Sequence, residues 1–388
     1  MKNKYLYVFW ILLTVIGCKD DVPLPDNPLA YVLKSKNQKI KRVLDSIDKY
    51  EVQIRFTSIF RRNDSIILED HDFQVNSENY FYPASTVKFP LAILALEKLN
   101  ENDSLTMDTR FFVEGDTITT TFAEEINKIF AVSDNEAYNR LFEFLGTNEI
   151  NLRLANKGIS PVRISHRLST ENADRTTTKP LVVYLNDSTL TNRRKSYNKA
   201  PERLSLNGVK KGRGYYNEEE LILEPFDFSL KNYYTIEAQH AVLKRIIFPE
   251  LFSRKEQFRI SNEQRQRLLK AMSTVPRQAG YNATKFYDSY GKFFIYGDTK
   301  EPIPKTVKIY NKVGYAYGTL TDCAYIKDTV NNIEFLITAT ILVNSNETFN
   351  DDQYEYETIG IPFLAELGRE LYQLQLSIKN GTFGTSTP

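Results

Sequence analysis

The spacing of apolar residues along the chain predicts strands near both ends and helices between them. Strands are predicted at 51–60, 66–69, 307–313, 323–327 and 335–343, with turns at 63–65, Gly318 and 331–332. Helices are predicted at 40–47, 86–99, 122–131, 136–145 and 359–374, and Gly146 follows the fourth of these in a C-cap position. This order predicts one sheet built from both ends of the chain, with a helical lobe inserted between them.

Two stretches of the chain lack such a periodic pattern, and we interpret them as accessory segments. Residues 18–38 are polar and contain several prolines, which is typical of a tether. Residues at about 179–231 are polar, first basic and then acidic, and are interpreted as an insertion. The rest of 39–376 is predicted to form one globular domain, which a tail at 377–388 follows.

The first residues predict an exported protein. A short basic start precedes an apolar run at 5–16, which is too short to span a bilayer as a permanent helix and is typical of a secretory signal. The run ends in Val15-Ile16-Gly17-Cys18, which resembles the bacterial lipobox. The resemblance implies that residues 1–17 are removed as a signal peptide, that Cys18 is lipidated, and that the protein is anchored to the cell envelope, in the periplasm or at the cell surface. An uncleaved membrane anchor is the alternative, and in both cases the remaining chain faces outward.

Composition narrows the class of protein further. With Cys18 lipidated, Cys323 has no partner, so no intrachain disulfide is expected and the core must hold the fold together. A formal net charge of +1 gives no reason to expect a nucleic-acid partner. The three histidines, His71, His166 and His240, do not have the spacing of metal ligands. We expect a monomer without a metal site or a cofactor.

The start of the helix predicted at 86–99 carries residues suited to nucleophilic catalysis. This helix is apolar on nearly every side and should be central in the fold. Ser-x-x-Lys occurs three times, and only Ser85 opens such a helix, with Lys88 one turn away on the same face. Backbone N–H groups at a helix start can stabilise an oxyanion, while burial and the positive helix end favour a neutral Lys88 that accepts the Ser85 proton. The alternative is that Ser85 only caps the helix.

A triad that depends on histidine is not expected, because no Gly-x-Ser-x-Gly occurs, so a hydrolase would need a lysine or a carboxylate as its base. Ser133-Asp134-Asn135 lies at a helix-to-helix junction and Lys312-Val313-Gly314 at the end of a strand. With Ser85 and Lys88, these motifs resemble the signature of class A β-lactamases and penicillin-binding proteins. Flanking residues extend the resemblance at 82–88, 133–139, 175–178 and 312–322.

The resemblance covers about 40–374, apart from the insertion, and it implies both a fold and a set of roles. The fold is α+β, an α/β/α sandwich in which an antiparallel sheet carries helices on both faces, plus a helical lobe. Ser85 would attack an acyl carbon with Lys88 as general base, and Ser133 would relay a proton to the leaving nitrogen. The substrate-binding residues would be Asn135 for the amide, Lys312 for the carboxylate, and Gly314 and Tyr315 along the strand, with the N–H groups of Ser85 and Tyr315 as the oxyanion hole.

Two departures from the family pattern affect the expected activity. Val313 replaces a Thr or Ser whose hydroxyl binds the substrate carboxylate, so affinity for acidic β-lactams is expected to fall about 10–100-fold. The deacylating Glu of class A β-lactamases lies on a loop before Thr-Thr-Thr, and this loop is shorter here. Glu171 is the first candidate for that base and Asp174 the second, while a surface carboxylate is the alternative. Without a working base, Ser85 would acylate and then stall, as in a penicillin-binding protein.

The expected function is β-lactam hydrolysis through an acyl-enzyme on Ser85. The first alternative is a D-alanyl-D-alanine peptidase, so the expected partner is a β-lactam or a peptidoglycan stem peptide, besides the membrane reached through the N-terminal lipid. The second alternative is a non-catalytic lipoprotein that binds wall fragments, although a binding protein has no need of a nucleophile.

Overall fold

The computed structural model describes residues 25–63, 65–102, 104–187 and 189–383, so the predicted signal peptide and Cys18 lie outside the described residues. The helices are α1 (Pro28–Val32), α2 (Gln38–Leu44), α3 (Ile47–Tyr50), α4 (Lys88–Leu99), α5 (Phe122–Val132), α6 (Asn135–Leu145), α7 (Thr147–Asn156), α8 (Ile236–Ile247), α9 (Asn262–Ser273) and α10 (Ile361–Lys379). Within these ranges, no helix combines the length and the apolar character that crossing a membrane requires.

The strands follow the same chain order. They are β1 (Gln53–Arg62), β2 (Ser65–Phe73), β3 (Arg110–Val113), β4 (Thr120–Thr121), β5 (Val162–Arg163), β6 (Leu181–Tyr184), β7 (Leu190–Arg193), β8 (Lys210–Lys211), β9 (Gly214–Asn217), β10 (Glu220–Ile222), β11 (Phe226–Asp227), β12 (Tyr233–Tyr234), β13 (Val307–Ala316), β14 (Thr319–Asp328), β15 (Ile333–Leu342) and β16 (Thr348–Phe349).

The centre of the fold is a five-stranded antiparallel sheet in the order β13-β14-β15-β1-β2. The hairpin of β1 and β2 comes from the start of the chain, and the other three strands come from its end. β1 pairs with β15 and so joins the two ends of the chain. The predicted sheet of both termini is therefore confirmed, and β13 is one of its edge strands.

Helices cover both faces of this sheet, as the sandwich prediction requires. α8 packs on one face, and beyond it lies the helical lobe around α4, α5 and α6. α10, with α1 and α2 against it, covers the other face. Successive residues of β14 alternate between the two cores, so that Cys323 belongs to the lobe side and Ala324 to the α10 side.

The central helix predicted at 86–99 is confirmed as α4. Eleven of its twelve residues are buried, and it packs against α5, α6 and α7. Truncation of a buried leucine such as Leu94 to alanine in such a setting costs about 2–5 kcal/mol. This packing fixes the position of the residues at the start of the helix.

The folded body extends beyond the boundaries predicted at 38 and 376. Asn27 caps α1 by accepting a hydrogen bond from the Ala30 N–H at 2.9 Å, and Pro28 takes the first helical position. Leu29 and Val32 are buried against α10, and α10 itself continues to Lys379. No sign of α1 was visible in the sequence, because a five-residue helix is too short to show an apolar period.

The segment interpreted as an insertion is part of the body at both of its ends. Its first strand, β6, pairs with β3. Near its end, Phe226 and Phe228 pack with Tyr82 and Tyr317 in an aromatic cluster. This cluster lies directly behind the residues that precede Ser85, so the segment supports the site from outside the sheet.

Candidate active site

Ser85 lies in a tight turn that leads directly into α4. Residues Ala84–Val87 form a 3-10 turn, and the N–H of Lys88 donates to the carbonyl of Ser85, so the turn and the helix are continuous. Ala84 has a φ of +46°, a left-handed conformation that costs a non-glycine residue about 1–3 kcal/mol. The fold therefore holds the half-buried Ser85 in a strained turn on a buried helix.

The side chain of Lys88 is fully buried and extends to the Ser-Asp-Asn segment. Its Nζ donates to the carbonyl of Ser133 at 2.5 Å and to Oδ1 of Asn135 at 2.6 Å. Burial lowers the pKa of Lys88 to about 7, and the nearby charge of Asp134 opposes this shift only in part. A large share of Lys88 is therefore neutral near pH 7, as a general base must be.

Ser133 lies at the junction of α5 and α6, where two helix caps fix its position. It ends α5 with a φ of +58°, and Asp134 caps α6 by accepting from the Ala137 N–H at 2.8 Å. Oγ of Ser133 then lies between two amines, 3.4 Å from Nζ of Lys88 and 2.8 Å from Nζ of Lys312. A hydroxyl in this position can pass a proton between an amine and a bound substrate.

Lys312 is the second buried amine of the site. Besides Ser133, its Nζ contacts the carbonyl of Val313 at 2.8 Å. In the described part of the chain, neither Lys312 nor Lys88 has a hydrogen bond or ion pair to a carboxylate. Burial, and after it the charge of Lys88, holds the pKa of Lys312 well below its usual range. An anionic substrate would stabilise the protonated form of either amine, so the pair favours a substrate with a negative charge.

Gly314 brings the edge strand β13 against the turn that holds Ser85. A Cβ at this position would lie 2.6 Å from the carbonyl oxygen of Pro83 and 2.8 Å from the backbone N of Ser85. Only glycine permits so close an approach of two backbones. The backbone N–H of Ser85 consequently lies beside the strand residue that follows Gly314, which is Tyr315.

A buried polar network supports the strand behind Lys312. The amide of Asn311 donates to Oδ1 of Asp322 at 2.7 Å and accepts from Nζ of Lys292 at 2.5 Å. Asp322 also accepts from the N–H of Phe293 at 3.0 Å. Burial raises the pKa of Asp322 and lowers the pKa of Lys292. These bonds tie the loop before β13 to the strand that carries Lys312.

The other two Ser-x-x-Lys occurrences have structural roles. The hydroxyl of Ser289 donates to a backbone carbonyl, and Lys292 belongs to the buried network. The hydroxyl of Ser196 lies 3.1 Å from that of Thr178, and Lys199 is exposed and pairs with a surface carboxylate. Of the three serines, Ser85 is the one that the fold joins to the remaining motifs.

Asn139 fastens the loop after α7 to the Ser-Asp-Asn helix. Its side chain donates to the carbonyl of Leu168 and accepts from the N–H of Leu168, both at 2.9 Å. The side chain of Leu168 is buried among the apolar residues of the lobe. The loop residue that is held closest to Asn139 is therefore apolar, and no carboxylate occupies this position.

Glu171 does not join the other predicted site residues. Its side chain is exposed and has no hydrogen bond or ion pair with the residues that the structure describes. It lines a cavity of about 580 Å³ whose lining includes neither Ser85 nor Lys88. Asp174, the second candidate for the deacylating base, is also exposed. Among the described residues, neither carboxylate is hydrogen-bonded to Ser85, Lys88 or Ser133.

A buried ion pair explains the path of this loop. The guanidinium of Arg167 binds both carboxylate oxygens of Glu143, at 2.6 and 2.9 Å. It also donates to the carbonyls of Arg175 and Thr177, at 2.8 and 3.0 Å. The hydrogen bonds of this one guanidinium hold the two ends of the short loop together. Glu171, at the tip of the loop, faces solvent.

The structure brings most of the predicted site residues together, and it adds one that the sequence did not reveal. Those brought together are Ser85, Lys88, Ser133, Asn135, Lys312 and Gly314, with the backbone of Tyr315 next to them. The addition is Leu168, whose backbone is held by Asn139. The match of Asn139 to the family motif was the available signal for Leu168.

Comparisons with known proteins bear on the family and on the fold. The model of the beta-lactamase enzyme family matches residues 36–375. No curated protein matches the sequence.

Solved structures show the same fold at low sequence identity. L2 complexed with relebactam is 14% identical, with 90% of this chain and 99% of that chain covered and a TM-score of 0.51. A beta lactamase from Xanthomonas campestris pv. campestris is 14% identical, with coverage of 90% and 98% and a TM-score of 0.51. A mutant of PBP-A in an acyl-enzyme complex with penicillin G is 15% identical, with coverage of 91% and 98% and a TM-score of 0.50.

Proposed function

This chain belongs to the beta-lactamase enzyme family, and from this premise we propose that it is a serine hydrolase that forms an acyl-enzyme on Ser85 and releases the acyl group slowly. The proposed substrate is the D-alanyl-D-alanine end of a peptidoglycan stem peptide, and β-lactams would acylate the same serine. The observation that carries this proposal is that Asn139, on the helix of the Ser-Asp-Asn motif, holds the backbone of the buried Leu168, while Glu171 lines a cavity that includes neither Ser85 nor Lys88.

Acylation begins with a proton transfer from Ser85 to Lys88. Burial gives Lys88 a pKa of about 7, so its neutral amine can take the proton of the Ser85 hydroxyl as Oγ bonds to the acyl carbon. The C–N bond of the substrate then breaks. Ser133, which lies between Lys88 and Lys312, hands a proton to the leaving nitrogen and is reprotonated from Lys88.

Two backbone donors would stabilise the tetrahedral intermediate. The N–H of Ser85 lies beside β13 because Gly314 allows the close approach, and the N–H of Tyr315 follows on the same strand. Donors fixed in this way are worth about 10²–10³ in rate each. Lys312, which has no carboxylate partner among the described residues, would attract the carboxylate of the substrate.

Deacylation needs a base that activates a water molecule, and neither of the two predicted carboxylates is in place for this step. The exposed side chains of Glu171 and Asp174 are not hydrogen-bonded to any residue of the Ser85 group. The loop position next to Asn139 presents the apolar Leu168. We therefore expect a penicillin adduct on Ser85 to persist, as in a penicillin-binding protein.

β-Lactam hydrolysis is the second candidate function, and Lys88 is the residue that favours it. An amine with a pKa of about 7 can activate water as well as a serine. Turnover would then depend on Lys88 in both half-reactions. This candidate differs from the first in the lifetime of the acyl-enzyme and not in its formation.

Intact mass spectrometry of the purified protein with penicillin G separates the two candidates. A penicillin-sized adduct that persists for hours supports the peptidase, whereas an adduct that decays while drug disappears supports the β-lactamase. Ser85→Ala should give no adduct, and Ser289→Ala is the matched control and should react like the wild type. A wild type that forms no adduct, or an adduct that survives Ser85→Ala, refutes the proposal and favours a binding protein.

We also propose that Cys18 anchors the body to the cell envelope through lipid, as the lipobox-like segment implies. Folding of the chain from Pro28 onward leaves a short stretch between the lipid and the body. Metabolic labelling with a radioactive fatty acid should mark the wild type, and Cys18→Ala should remove the label. A labelled Cys18→Ala variant would contradict the assignment.

A further inference from the structure

Two hairpin turns of the central sheet lie side by side at one of its ends. β1 leads into the turn before β2, β15 follows the turn after β14, and β1 and β15 are antiparallel neighbours. A guanidinium N–H of Arg61 donates to Oε2 of Glu334 at 3.0 Å and joins the two strand ends. We call the surface formed by 60–63, 65–67 and 328–333 the turn end of the sheet, and its opposite, where β13 and β15 finish, the far end.

The folded body of the chain begins at the turn end. α1 packs against α10 and β2, and the ring centroid of Tyr31 lies 5.4 Å from that of Phe383, which follows α10. Lys379, the last residue of α10, donates from Nζ to the carbonyl of Asn332 in the turn between β14 and β15, at 2.9 Å. A chain that enters the body at Pro28 therefore arrives at this end of the sheet.

The place where the chain enters the body decides which end lies nearer to the membrane. Pro28 lies ten positions after Cys18, the residue proposed to carry the lipid, and ten residues span at most about 33–36 Å. The strands β13, β14 and β15 have ten residues each, so the sheet is about 33 Å long. The far end could therefore touch the bilayer only with the tether stretched almost fully, whereas the turn end needs no such extension.

The turn end exposes large apolar side chains. Their exposed fractions are 71% for Val330, 50% for Tyr31, 48% for Ile67 and 42% for Phe60. Phe60 and Ile67 are cross-strand partners, and Phe60 shares a face of β1 with Phe56, which belongs to the core under α10. Exposed apolar residues gathered in this way mark an interaction surface. Tyrosine in particular is enriched where a protein meets the interface between membrane and water.

Positive charge accompanies these apolar residues. Lys34 follows α1, Arg62 ends β1 and Lys379 ends α10, and all three are exposed. Asp26, before α1, is also exposed, so the described charges at this end are mainly positive. Apolar side chains beside lysine and arginine are typical of a surface that binds anionic lipid headgroups.

We propose that the turn end docks on the surface of an anionic bilayer, to which the lipid on Cys18 tethers the body. This inference rests on the proposed function, because it assumes the proposed anchor. Gly314, which adjoins the backbone N of Ser85, lies seven residues along β13 from Val307, the partner of Asp328 at the turn end. Seven residues of a strand measure about 23 Å. Docking thus holds Ser85 about this far from the bilayer, where it meets stem peptides of the wall.

The test uses tryptophan as a depth probe in the full-length, lipidated protein, reconstituted into vesicles in which about one lipid in four is phosphatidylglycerol. The chain has one tryptophan, Trp10, in the predicted signal peptide, so the wild type serves as the blank. Val330→Trp places a probe at the turn end. Leu223→Trp, at a residue that is 78% exposed, is the matched control; it follows β10, in the small sheet with β16, which the chain reaches after the far end of β15. Lipids brominated near the glycerol end of their acyl chains should quench Val330→Trp by at least about half and Leu223→Trp by less than about a tenth.

The contribution of charge is tested in the Val330→Trp protein. Each basic residue near an anionic surface strengthens binding about fivefold, so Lys34→Gln/Arg62→Gln should lower the ratio of docked to undocked protein about 10–30-fold and reduce the quenching accordingly. Lys49→Gln/Lys210→Gln removes two exposed lysines that line one cavity at the far end and should leave the quenching unchanged. Equal effects of the two double variants would overturn the assignment to anionic lipid.

Equal quenching of the two probes, or quenching of Leu223→Trp alone, would overturn the docking. A blue shift of Val330→Trp without quenching by brominated lipid would assign the turn end to a second copy of the chain and would overturn it as well. A wild type that does not stay with the vesicles would refute the anchor and this inference together. Acylation by penicillin G, measured on the same vesicles, tests the serine hydrolase separately, since its absence would refute that activity and leave the docking in place.

Discussion

The rate of acylation should follow the neutral fraction of Lys88, and this gives the mechanism a measurable pH profile. Burial lowers the pKa of Lys88 to about 7, so protonated Lys88 predominates below this pH and the neutral base above it. Between pH 6 and pH 8 the neutral fraction rises from about 9% to about 91%, which predicts a roughly tenfold increase in acylation rate. Above pH 8 the rate should level off.

The charge of Asp134 offers a way to move this profile without disturbing the fold. Its carboxylate raises the pKa of Lys88 and also caps α6 through the Ala137 N–H. Asparagine is as good an N-cap as aspartate, so Asp134→Asn should keep the helix and remove only the charge. The ascending limb of the profile should then move to lower pH, because protonated Lys88 loses an attractive neighbour.

Stopped-flow measurement of acylation by a chromogenic cephalosporin from pH 5.5 to pH 9.5 checks both points. Glu136→Gln is the matched control, since this carboxylate is exposed on the first turn of the same helix and should leave the profile in place. A rate that does not change between pH 6 and pH 8 would refute Lys88 as the base. A limb that moves to higher pH in Asp134→Asn would refute the electrostatic reasoning.

Three further substitutions test other parts of the site. Gly314→Ala should lower the acylation rate by at least about 10²-fold, because the added Cβ would collide with the backbone N of Ser85. Acylation kinetics at saturating substrate would measure this loss, and a near-wild-type rate would contradict the close contact. Lys88→Met should abolish acylation. In the wild type, the free energy of unfolding should rise by roughly 2–4 kcal/mol between pH 7 and pH 10.5, because Lys88 is protonated in the unfolded chain and neutral in the folded chain over this window. Denaturant titrations across this pH range should show that Lys88→Met lacks the rise. Asn139→Ala should cost about 1–3 kcal/mol of stability by leaving the backbone of Leu168 unsatisfied, and urea unfolding that matches the wild type would contradict the role of this clip.

The parts of the fold that the sequence predicted are those in which local pattern and tertiary contacts agree. The strands β14 and β15 are buried on both faces, β13 is largely buried, and the three follow one another through short turns, so their apolar runs were visible. α4 was recognisable for the same reason; Lys88 is its first residue, and Ser85 lies in the 3-10 turn that leads into it. The candidate site could be predicted from its motifs because each motif lies beside the end of a predictable helix or strand.

The parts that the sequence did not predict depend on contacts between distant segments. The outward position of Glu171 follows from the Arg167–Glu143 ion pair, in which a helix and a later loop meet. Lys292 and Phe293 bring the loop before β13 into the buried Asp322 network, and neither the loop nor the network has a sequence period. Tertiary anchoring of this kind leaves no local signal that a pattern of apolar residues can show.

Because the sheet joins strands from both ends of the chain, the group of residues around Ser85 can be completed only late in folding. Ser85 follows the first hairpin, whereas Lys312 and Gly314 lie on a strand close to the C-terminus, and β1 needs β15 as its neighbour. Sheets with partners this far apart in sequence close late, since loop-closure entropy must be overcome before the strands pair. Until these strands pair, Ser85 lacks the β13 backbone that Gly314 brings against it. If the proposed mechanism is right, a partly folded chain is therefore not expected to acylate.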